Sequence, residues 1–448
     1  MYGVMAFQLW LFCPSTNSTV IFLANAGLES AARSRAAAIH FFGVIERVIV
    51  ALTLTAARAV RKPKSGHSTQ HFWSGNLPVL IGTKQFGLAR WLLAAIVGLA
   101  LALAFPEPRW IILAWLVPGA WLVVVSGERR WRLFGLAFVT AVVFRLVSLR
   151  FLLNMPHTAG AISGWLALSF YSALYPAAWA WICGDWLRNG LSKLQWPWVR
   201  RFSFGLFASA AWVGLEMLQA RVLGGYPWNF LGVSQFENLP LIQITSVAGV
   251  YGVSFLMVWV SVSLLFAVLQ IRCAPANPWR WTAEVALPLL VLGLVCGWGF
   301  FRVAKVPPPV NKLDVALVQP SIPQQLIWQS GTGNERLSKV LELSRLALAT
   351  KPDLLVWPEA CAPISAERWP EVFDMVKSSS VTLLFGVDDA ERDADEVRYF
   401  NSAVFLTPDG PQLPSYRKRR LVMFGEYIPF EKALPFMKYL SPIGGSFS

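Results

Sequence analysis

The stretch Leu354-Leu-Val-Trp-Pro-Glu359 is a short apolar run that ends in a proline and a carboxylate. Its length and composition predict a buried β-strand, and the proline predicts that the strand ends before Glu359. In α/β sheets, ligands bind beyond the carboxyl ends of the strands. Glu359 is therefore a candidate functional residue.

Segments typical of strands and helices alternate on both sides of this stretch. Further apolar runs that fit buried strands occupy 313–318, 381–387 and 401–407. Segments with helical periodicity occupy 334–349 and 367–377. This alternation predicts an α/β layered domain over residues 305–448.

The preceding part of the chain is far more apolar. Over the whole sequence, 55% of residues are hydrophobic and 14% are charged, whereas soluble proteins carry about 25% charged residues. Stretches long and apolar enough to cross a membrane occupy 88–105, 109–125, 131–152, 161–187, 202–220, 239–269 and 283–303. We therefore predict an α-helical membrane bundle of about seven spans over residues 88–304, with a sixth span long enough to begin as a loop.

Positive charge is concentrated in this apolar part. Residues 1–304 hold 23 Lys and Arg against 8 Asp and Glu, and residues 305–448 hold 16 against 17. Nine of the basic residues lie in loops 126–132, 188–201 and 270–282. Two lie in the loops that alternate with these along the chain, which are 106–109, 153–160 and 221–238. This bias predicts that the first set is cytoplasmic and that residues 305–448 lie outside, in a bacterium the periplasm. It argues against a nucleic-acid partner, because the basic residues follow the membrane loops.

Residues 1–87 are predicted to be an N-terminal extension without a defined fold. The apolar stretch 36–60 is interrupted by Glu46 and Arg47. An eighth helix, lying on the membrane or crossing it, is the alternative for this stretch.

The histidine inventory limits the chemistry of the C-terminal part. The four histidines are His40, His67, His71 and His157, and all precede residue 305. A Ser-His-Asp or Cys-His mechanism there is excluded, and so is a histidine-ligated metal site. We expect neither a metal nor another cofactor, which leaves carboxylate and lysine chemistry.

A second stretch contains a lysine that could act together with Glu359. Tyr416-Arg-Lys-Arg-Arg-Leu-Val-Met-Phe-Gly-Glu-Tyr-Ile-Pro429 contains Lys418 and, eight residues later, Glu426. Taken alone, its four consecutive basic residues are more typical of a solvated face, and Glu359 alone is equally ambiguous. Together they supply a base and a cation, two of the three groups that a lysine-assisted thiol acyl transfer needs.

At these motifs the chain resembles the apolipoprotein N-acyltransferases, membrane enzymes with a nitrilase-type domain. Within the C-terminal part, Leu317-Val-Gln-Pro-Ser-Ile-Pro-Gln324 with Trp328 resembles the family's domain entry, and Asn401-Ser-Ala-Val resembles its central strand. The membrane part carries similar motifs at Leu101-Ala-Leu-Ala-Phe-Pro106, Ala211-Trp-Val-Gly-Leu-Glu216, Gly225-Tyr-Pro-Trp228, Leu231-Gly-Val-Ser-Gln235 and Gly249-Val-Tyr-Gly-Val-Ser-Phe255. The similarity covers roughly residues 88–448.

The resemblance implies a fold and a reaction. The fold is part of a nitrilase-like αββα sandwich over residues 305–448. A cysteine thiolate takes an acyl chain from a phospholipid, and the thioester passes it to the α-amine of a lipoprotein's diacylglyceryl-cysteine. By motif match, Glu359 is the general base, Lys418 stabilises the oxyanion, and Glu426 is a supporting carboxylate. Trp328 lines the acyl site.

The sequence departs from the family at three points. Met423 stands where the family usually has proline, and Cys361 stands where it usually has a small residue. The family's nucleophile lies in a strand-Cys-Tyr-Glu segment after Phe-Gly-Glu, and the 448 residues do not contain it. Cys361, two residues from Glu359, is expected to be a loop or core filler. We therefore expect no nucleophile in this chain, no acyl transfer by these residues alone, and exposed apolar sheet faces with an open edge.

Three readings stay open at this point: an N-acyltransferase with an incomplete sequence, a non-catalytic lipid- or lipoprotein-binding remnant, and a membrane-anchored nitrilase-type amidase. The membrane motifs argue against the amidase. Glu216, a carboxylate within a predicted span, is a functional candidate by its position. It is equally explained as an interfacial residue or as a structural partner for a basic residue such as Arg145.

Overall fold

The structure, a computed structural model, describes residues 5–9, 20–24, 87–105, 109–155, 158–187, 196–273, 277–305, 312–322, 331–359, 368–393, 396–423 and 425–428. The chain forms two compact units. The helical unit comprises residues 27–150 and 166–305, and the sheet unit comprises residues 1–26, 151–165 and 306–448. The expectations for Trp328, for Cys361 and for a helix at 36–60 lie outside the described residues.

Apolar helices dominate the first part of the chain. In order they are α1 (Gly87–Ala102), α2 (Ile112–Val125), α3 (Arg130–Ser148), α4 (Thr158–Leu187), α5 (Trp198–Gln219), the four-residue α6 (Leu239–Ile242), α7 (Thr245–Cys273) and α8 (Pro278–Ala304). Single turns of 3-10 helix occur at Arg150–Asn154, Val222–Gly224 and Leu231–Gln235.

Each predicted span overlaps a helix, but these helices differ in whether they are long and apolar enough to cross a membrane. The helices α3, α4, α7 and α8 are long and apolar enough to cross a membrane, and α1 and α2 are apolar but shorter. The helix α5 has 22 residues and contains Arg200, Arg201 and Glu216. Four candidate spans are therefore evident among the described residues, and the count of seven stays a prediction.

The predicted sixth span is divided into two helices. Its first residues form α6, and α7 follows with a break at Gly249, whose φ of 61° lies in the left-handed region. Glycine tolerates this conformation because it has no Cβ. The break separates the start of α7 from the long apolar stretch that continues to Cys273.

Close helix approach and aromatic packing build the core of the helical unit. A Cβ added at Gly119 of α2 would lie 2.6 Å from the Ser261 carbonyl oxygen of α7, so only glycine allows this approach. Trp121, Trp179 and Trp212 pack edge-to-face with ring centroids 4.8–6.4 Å apart. Such aromatic pairs stabilise a core beyond the area that they bury.

The sheet unit contains a mixed sheet. Its strands are β1 (Met5–Leu9), β2 (Val20–Ala24), β3 (Val315–Val318), β4 (Leu354–Val356), β5 (Thr382–Asp393), β6 (Glu396–Thr407) and β7 (Gly410–Arg417), in that spatial order. The pairs from β2 to β5 are parallel, and the outer pairs are antiparallel. The helices α9 (Gly333–Leu348) and α10 (Trp369–Ser379) follow β3 and β4.

The core of this unit lies between the sheet and its two helices. Leu337, Val340 and Leu341 of α9 and Val372 and Val376 of α10 are buried against the strands. The strands contribute Ala316, Val318, Leu355, Leu383 and Phe385. The predicted βαβαβ order is confirmed, because each predicted strand and helix of residues 313–407 overlaps an observed one.

The sheet also contains strands that the sequence did not predict. The strand β2 pairs in parallel with β3, Val20 opposite Val315, although residues 1–87 were expected to lack a defined fold. An open sheet edge was expected, and β2 occupies the edge of β3. The hairpin β5–β6 extends well beyond its predicted apolar runs, and β7 returns along β6. The boundaries of the domains stay a prediction.

Candidate active site

The end of β4 is anchored so that Glu359 lies beyond the sheet. The Trp357 backbone N–H donates to the Leu384 carbonyl of β5 at 2.9 Å. Its buried indole donates to the Ser344 hydroxyl of α9 at 2.8 Å. Pro358 then ends the strand, because it has no N–H with which to continue the ladder. The Glu359 carboxylate follows, with 60% of its side chain exposed.

The strand pairing of β6 and β7 sets the position of Lys418. Ser402 pairs with Arg417, and the Lys418 backbone N–H donates to the Asn401 carbonyl at 2.8 Å. Lys418 is therefore held beside the middle of the long strand β6. Because successive side chains of a strand point to opposite faces, Arg417 and Lys418 leave the sheet in opposite directions.

A tight turn after Lys418 carries Glu426. The Glu426 backbone N–H donates to the Val422 carbonyl at 2.8 Å, and the Val422 N–H donates to Glu426 Oε2 at 2.7 Å. These reciprocal bonds fix one carboxylate oxygen of Glu426. The other oxygen, Oε1, is left to face Lys418.

The two stretches that the sequence singled out meet at one point. Lys418 Nζ lies 3.0 Å from Glu359 Oε1 and 2.6 Å from Glu426 Oε1. The predicted trio is therefore brought together, with the lysine between two carboxylates. We call Glu359, Lys418, Glu426 and the neighbouring Asn401 the lysine cluster.

Asn401 is the member of this cluster that sequence reasoning did not assign. Its Nδ2 donates to Glu359 Oε1 at 2.6 Å and to Glu426 Oε1 at 2.9 Å. Asn401 was quoted only as the start of a strand motif. An asparagine at the start of a predicted strand run was the available signal, because asparagine is depleted in strands.

The pKa values of the cluster follow from these contacts. Burial by itself lowers the pKa of the Lys418 amine, but hydrogen bonds to Glu426 and Glu359 outweigh it and raise that pKa. Burial by itself raises the pKa of Glu426, but bonds from Lys418, the Val422 N–H and Asn401 outweigh it and lower that pKa. Lys418 therefore stays a cation and Glu426 an anion at neutral pH.

The two carboxylates of the cluster differ in exposure and in how many of their oxygens are bound. Glu426 is 13% exposed and bound on both oxygens, whereas Glu359 is the exposed carboxylate of the cluster. An exposed carboxylate beside a cation can accept a proton from a nucleophile, and the cation can stabilise an oxyanion that forms nearby. The cluster is therefore suited to acyl-transfer chemistry.

The other basic residues of the stretch behave as a solvated face. Arg417 donates to Asp389 at 3.1 Å and to Glu391 at 2.7 Å, on the hairpin β5–β6. Arg419 and Arg420 are exposed. Of the four consecutive cations, only Lys418 contacts Glu359 and Glu426.

Comparisons with known proteins agree with the two units. The model of the apolipoprotein N-acyltransferase N-terminal domain matches residues 97–263, and the carbon-nitrogen hydrolase model matches residues 314–444. The apolipoprotein N-acyltransferase of Geobacter metallireducens is 35% identical over 371 residues, covering 80% of this chain and 68% of the relative. The chain belongs to the apolipoprotein N-acyltransferase family. With its apolar helices, it is a membrane protein with a nitrilase-like domain.

Other members of the family match shorter parts. The apolipoprotein N-acyltransferase of Rickettsia typhi is 31% identical over 51% of this chain and 45% of its own length. That of Photobacterium profundum is 29% identical over 77% of this chain and 65% of its own length. The chain thus spans between about half and two thirds of the length of these relatives.

Family membership places the lysine cluster within the matched nitrilase-like region. Glu359, Lys418 and Glu426 all lie between residues 314 and 444. Among the described residues, no group of His, Cys, Asp or Glu is arranged to hold a metal ion.

Proposed function

We propose that this chain carries the catalytic base and oxyanion cation of an apolipoprotein N-acyltransferase. The reaction moves a fatty acyl chain from a phospholipid to the α-amine of a lipoprotein's N-terminal diacylglyceryl-cysteine. The observation that carries the proposal is the contact of Lys418 with both Glu359 and Glu426, within a chain of this family.

In the first half-reaction, Glu359 accepts the proton of a cysteine thiol. The thiolate attacks the ester carbonyl of the phospholipid, and the oxyanion of the tetrahedral intermediate is stabilised by Lys418. The ester C–O bond then breaks, and Glu359 returns the proton to the leaving alcohol of the lysophospholipid. The product on the enzyme is a thioester.

In the second half-reaction, the lipoprotein's α-amine attacks the thioester carbonyl. Glu359 takes a proton from the amine, the C–S bond breaks, and the thiol is regenerated as the amide forms. Glu426 and Asn401 hold Lys418 and Glu359 at the distances that both steps need. Trp328 is proposed to line the acyl site.

The proposed nucleophile is the cysteine of the family's strand-Cys-Tyr-Glu segment. Cys361 is close to Glu359 in sequence, so both would leave the same strand end. A base and a nucleophile that meet from different strands can face each other across a substrate, whereas near neighbours on one loop are poorly placed to do so. We therefore assign Cys361 a filling role.

The proposed setting is the inner membrane of a bacterium, with seven spans in residues 88–304. The nitrilase-like domain, residues 305–448, is placed in the periplasm as part of an αββα sandwich. The bias of basic residues between alternate loops supports this orientation. Reporter fusions after Val303 test it, and a reporter active only in the cytoplasm would refute both the orientation and the lipoprotein substrate.

The reaction is tested with labelled phospholipid and two purified proteins. One is the 448-residue chain, and the other is that chain joined at Ser448 to the nucleophile-bearing segment of the Geobacter relative. We expect the joined chain to form a hydroxylamine-labile acyl adduct and to pass the label to a diacylglyceryl-cysteine peptide.

Each alternative function has its own outcome in this assay. Phospholipid binding without an adduct in the joined chain would indicate a lipid-binding protein. Cleavage of small amides without transfer would indicate an amidase. An adduct on the 448-residue chain that is lost in Cys361→Ser would make Cys361 the nucleophile.

A further inference from the structure

A small cavity in the helical unit is lined by two opposite charges. Its volume is about 20 Å³, and most of its wall is apolar, including Phe144, Trp212 and Leu231. Arg145 of α3 and Glu216 of α5 also line it. Both are almost fully buried, with exposed fractions of 3% and 6%.

Arg145 uses two of its three guanidinium nitrogens. Nη1 donates to the Trp228 carbonyl at 3.2 Å, and Nη2 donates to Gln219 Oε1 at 3.0 Å. The third nitrogen, Nε, is buried without a hydrogen-bond partner. A buried donor without a partner is costly, since it has lost its bond to water.

Glu216 is bound on only one of its oxygens. Oε1 accepts the Leu231 backbone N–H and the Trp212 indole N–H, both at 2.8 Å. Oε2 is buried without a hydrogen-bond partner. The Ser254 hydroxyl, which accepts the Gly232 N–H, lies near the same carboxylate.

The two charges do not meet directly. Arg145 and Glu216 are both among the described residues, yet they form no ion pair within the 4.0 Å limit. Each lies within electrostatic reach of the other. Arg145 Nε and Glu216 Oε2 are both unbound, and both residues line the same cavity, so one group between them would satisfy both atoms.

Glu216 Oε2 and Arg145 Nε determine which kind of chemical group fits between them. It has to donate to Glu216 Oε2 and accept from Arg145 Nε. A phosphodiester only accepts and would be repelled by the carboxylate, and an ammonium only donates and would be repelled by the guanidinium. A hydroxyl group does both. A cavity of about 20 Å³ has room for about one water molecule and no larger alcohol.

We propose that Arg145 and Glu216 hold one water molecule in this cavity and together clamp the loop between α5 and α6. The clamp acts on three backbone groups of that loop. Gln219 Nε2 donates to the Tyr226 carbonyl at 2.8 Å, Arg145 holds the Trp228 carbonyl, and Glu216 holds the Leu231 N–H. The bound water completes the connection between the two charges, so the loop is fixed to α3 and α5 at once.

Radiolytic footprinting of the whole chain in lipid nanodiscs tests the proposal, because hydroxyl radicals formed from a bound water label the side chains beside it. Phe144 lines the cavity, and Phe204 is equally buried but does not. We expect Phe144 to be labelled well above Phe204, with the oxygen derived from heavy-oxygen water. Equal labelling of the two rings would overturn the proposal, because the cavity would then be dry.

The variant Arg145→Met with Glu216→Leu removes both polar partners and keeps similar side-chain volumes. We expect labelling of Phe144 to fall to the level of Phe204 in this variant. Labelling that persists would show a water held by other groups and would overturn the assignment to Arg145 and Glu216. If the double variant does not fold, the comparison of the two phenylalanines in the unmodified chain still decides whether water is present.

Discussion

Two of the places where glutamate and a cation come together in the described residues differ in burial, in separation and in the groups that they bind. In the helical unit, Glu216 and Arg145 are buried, stay more than 4.0 Å apart, and bind backbone groups of a loop. In the sheet unit, Glu359 is 60% exposed and lies 3.0 Å from Lys418. The same two charge types therefore serve one buried framework and one open site.

The difference shows how a structural carboxylate can be distinguished from one that is available for catalysis. A carboxylate that accepts a loop N–H and an indole N–H on one oxygen, and whose other oxygen is buried, is out of reach of a substrate. An exposed carboxylate that shares a half-buried cation with a second carboxylate can exchange protons and still leave the cation charged. Glu216 fits the first description and Glu359 the second.

Removing the reactive groups of the lysine cluster should have the largest effect. In the chain joined to the relative's nucleophile segment, Glu359→Gln or Lys418→Ala should lower acyl transfer by a factor of about 10² or more. The loss follows because the thiol keeps its proton or the oxyanion loses its cation. The measurement is label transfer from phospholipid to a diacylglyceryl-cysteine peptide.

Arg417→Ala is the matched control for Lys418→Ala, because it removes a neighbouring cation that binds Asp389 and Glu391 instead. Its transfer rate should stay close to that of the unmodified protein. Near-normal transfer by Glu359→Gln or Lys418→Ala would refute the assigned roles. A loss of equal size in Arg417→Ala would show that the transfer rate depends on the total positive charge of the stretch and not on the position of Lys418.

Loosening the same cluster should have a smaller effect. Asn401→Ala removes two hydrogen bonds to carboxylates but leaves the base and the cation in place. A hydrogen bond to a charged group contributes about 1.5–3 kcal/mol, so we expect about a tenfold to hundredfold loss of transfer rate. Asn401→Asp should be at least as harmful, since it adds a third negative charge. Unchanged kinetics in both variants would remove Asn401 from the positioning residues.

The buried carboxylate should matter for stability more than for rate. Glu216→Gln keeps an acceptor for the Leu231 N–H and loses only the charge, so we expect about 1 kcal/mol of lost stability. Thermal unfolding in detergent measures it, with Glu237→Gln as the control because its pair with Arg109 is exposed. The transfer rate per folded molecule should fall by less than about tenfold. A much larger fall without destabilisation would break the distinction between the two clusters.

The smallest expected effect is a pH dependence of stability. Lys418 has a raised pKa, so its contribution is present below about pH 10.5, the ordinary lysine value, and is lost as pH rises through the folded value. Glu426 has a lowered pKa, so its contribution is present above about pH 4.5 and is lost as pH falls through the folded value. Thermal unfolding of Glu426→Gln against pH should show a weaker acid limb. An unchanged acid limb would contradict the pairing.

The sequence predicted most elements of both units, because apolar periodicity reports burial directly. It also brought Glu359, Lys418 and Glu426 together, although through a family resemblance and not through spacing. Asn401 was missed, since its role depends on the register of β6 against β7, which no local pattern contains. Of the residues near Glu216, Arg145 was named from the sequence, although it forms no ion pair with Glu216. The Leu231 N–H, 15 residues away, was missed, because a loop that folds back onto its own helix leaves no local pattern.

The irregular pairing of β6 with β7 decides which cation reaches the lysine cluster. Ala403 pairs with Tyr416 and Phe405 with Gln412, so Val404 faces three residues, 413–415, of the opposite strand. The bulge, and not the turn that follows Thr407, therefore sets the register at Lys418. If the same sequence paired with one extra residue at this point instead of two, Ser402 would face Tyr416, and Arg417 would offer a guanidinium in the place of the Lys418 amine. A change in the size of a bulge that lies three to five residues before Lys418 would then act as a substitution at the proposed catalytic cation, without a change in the residue itself.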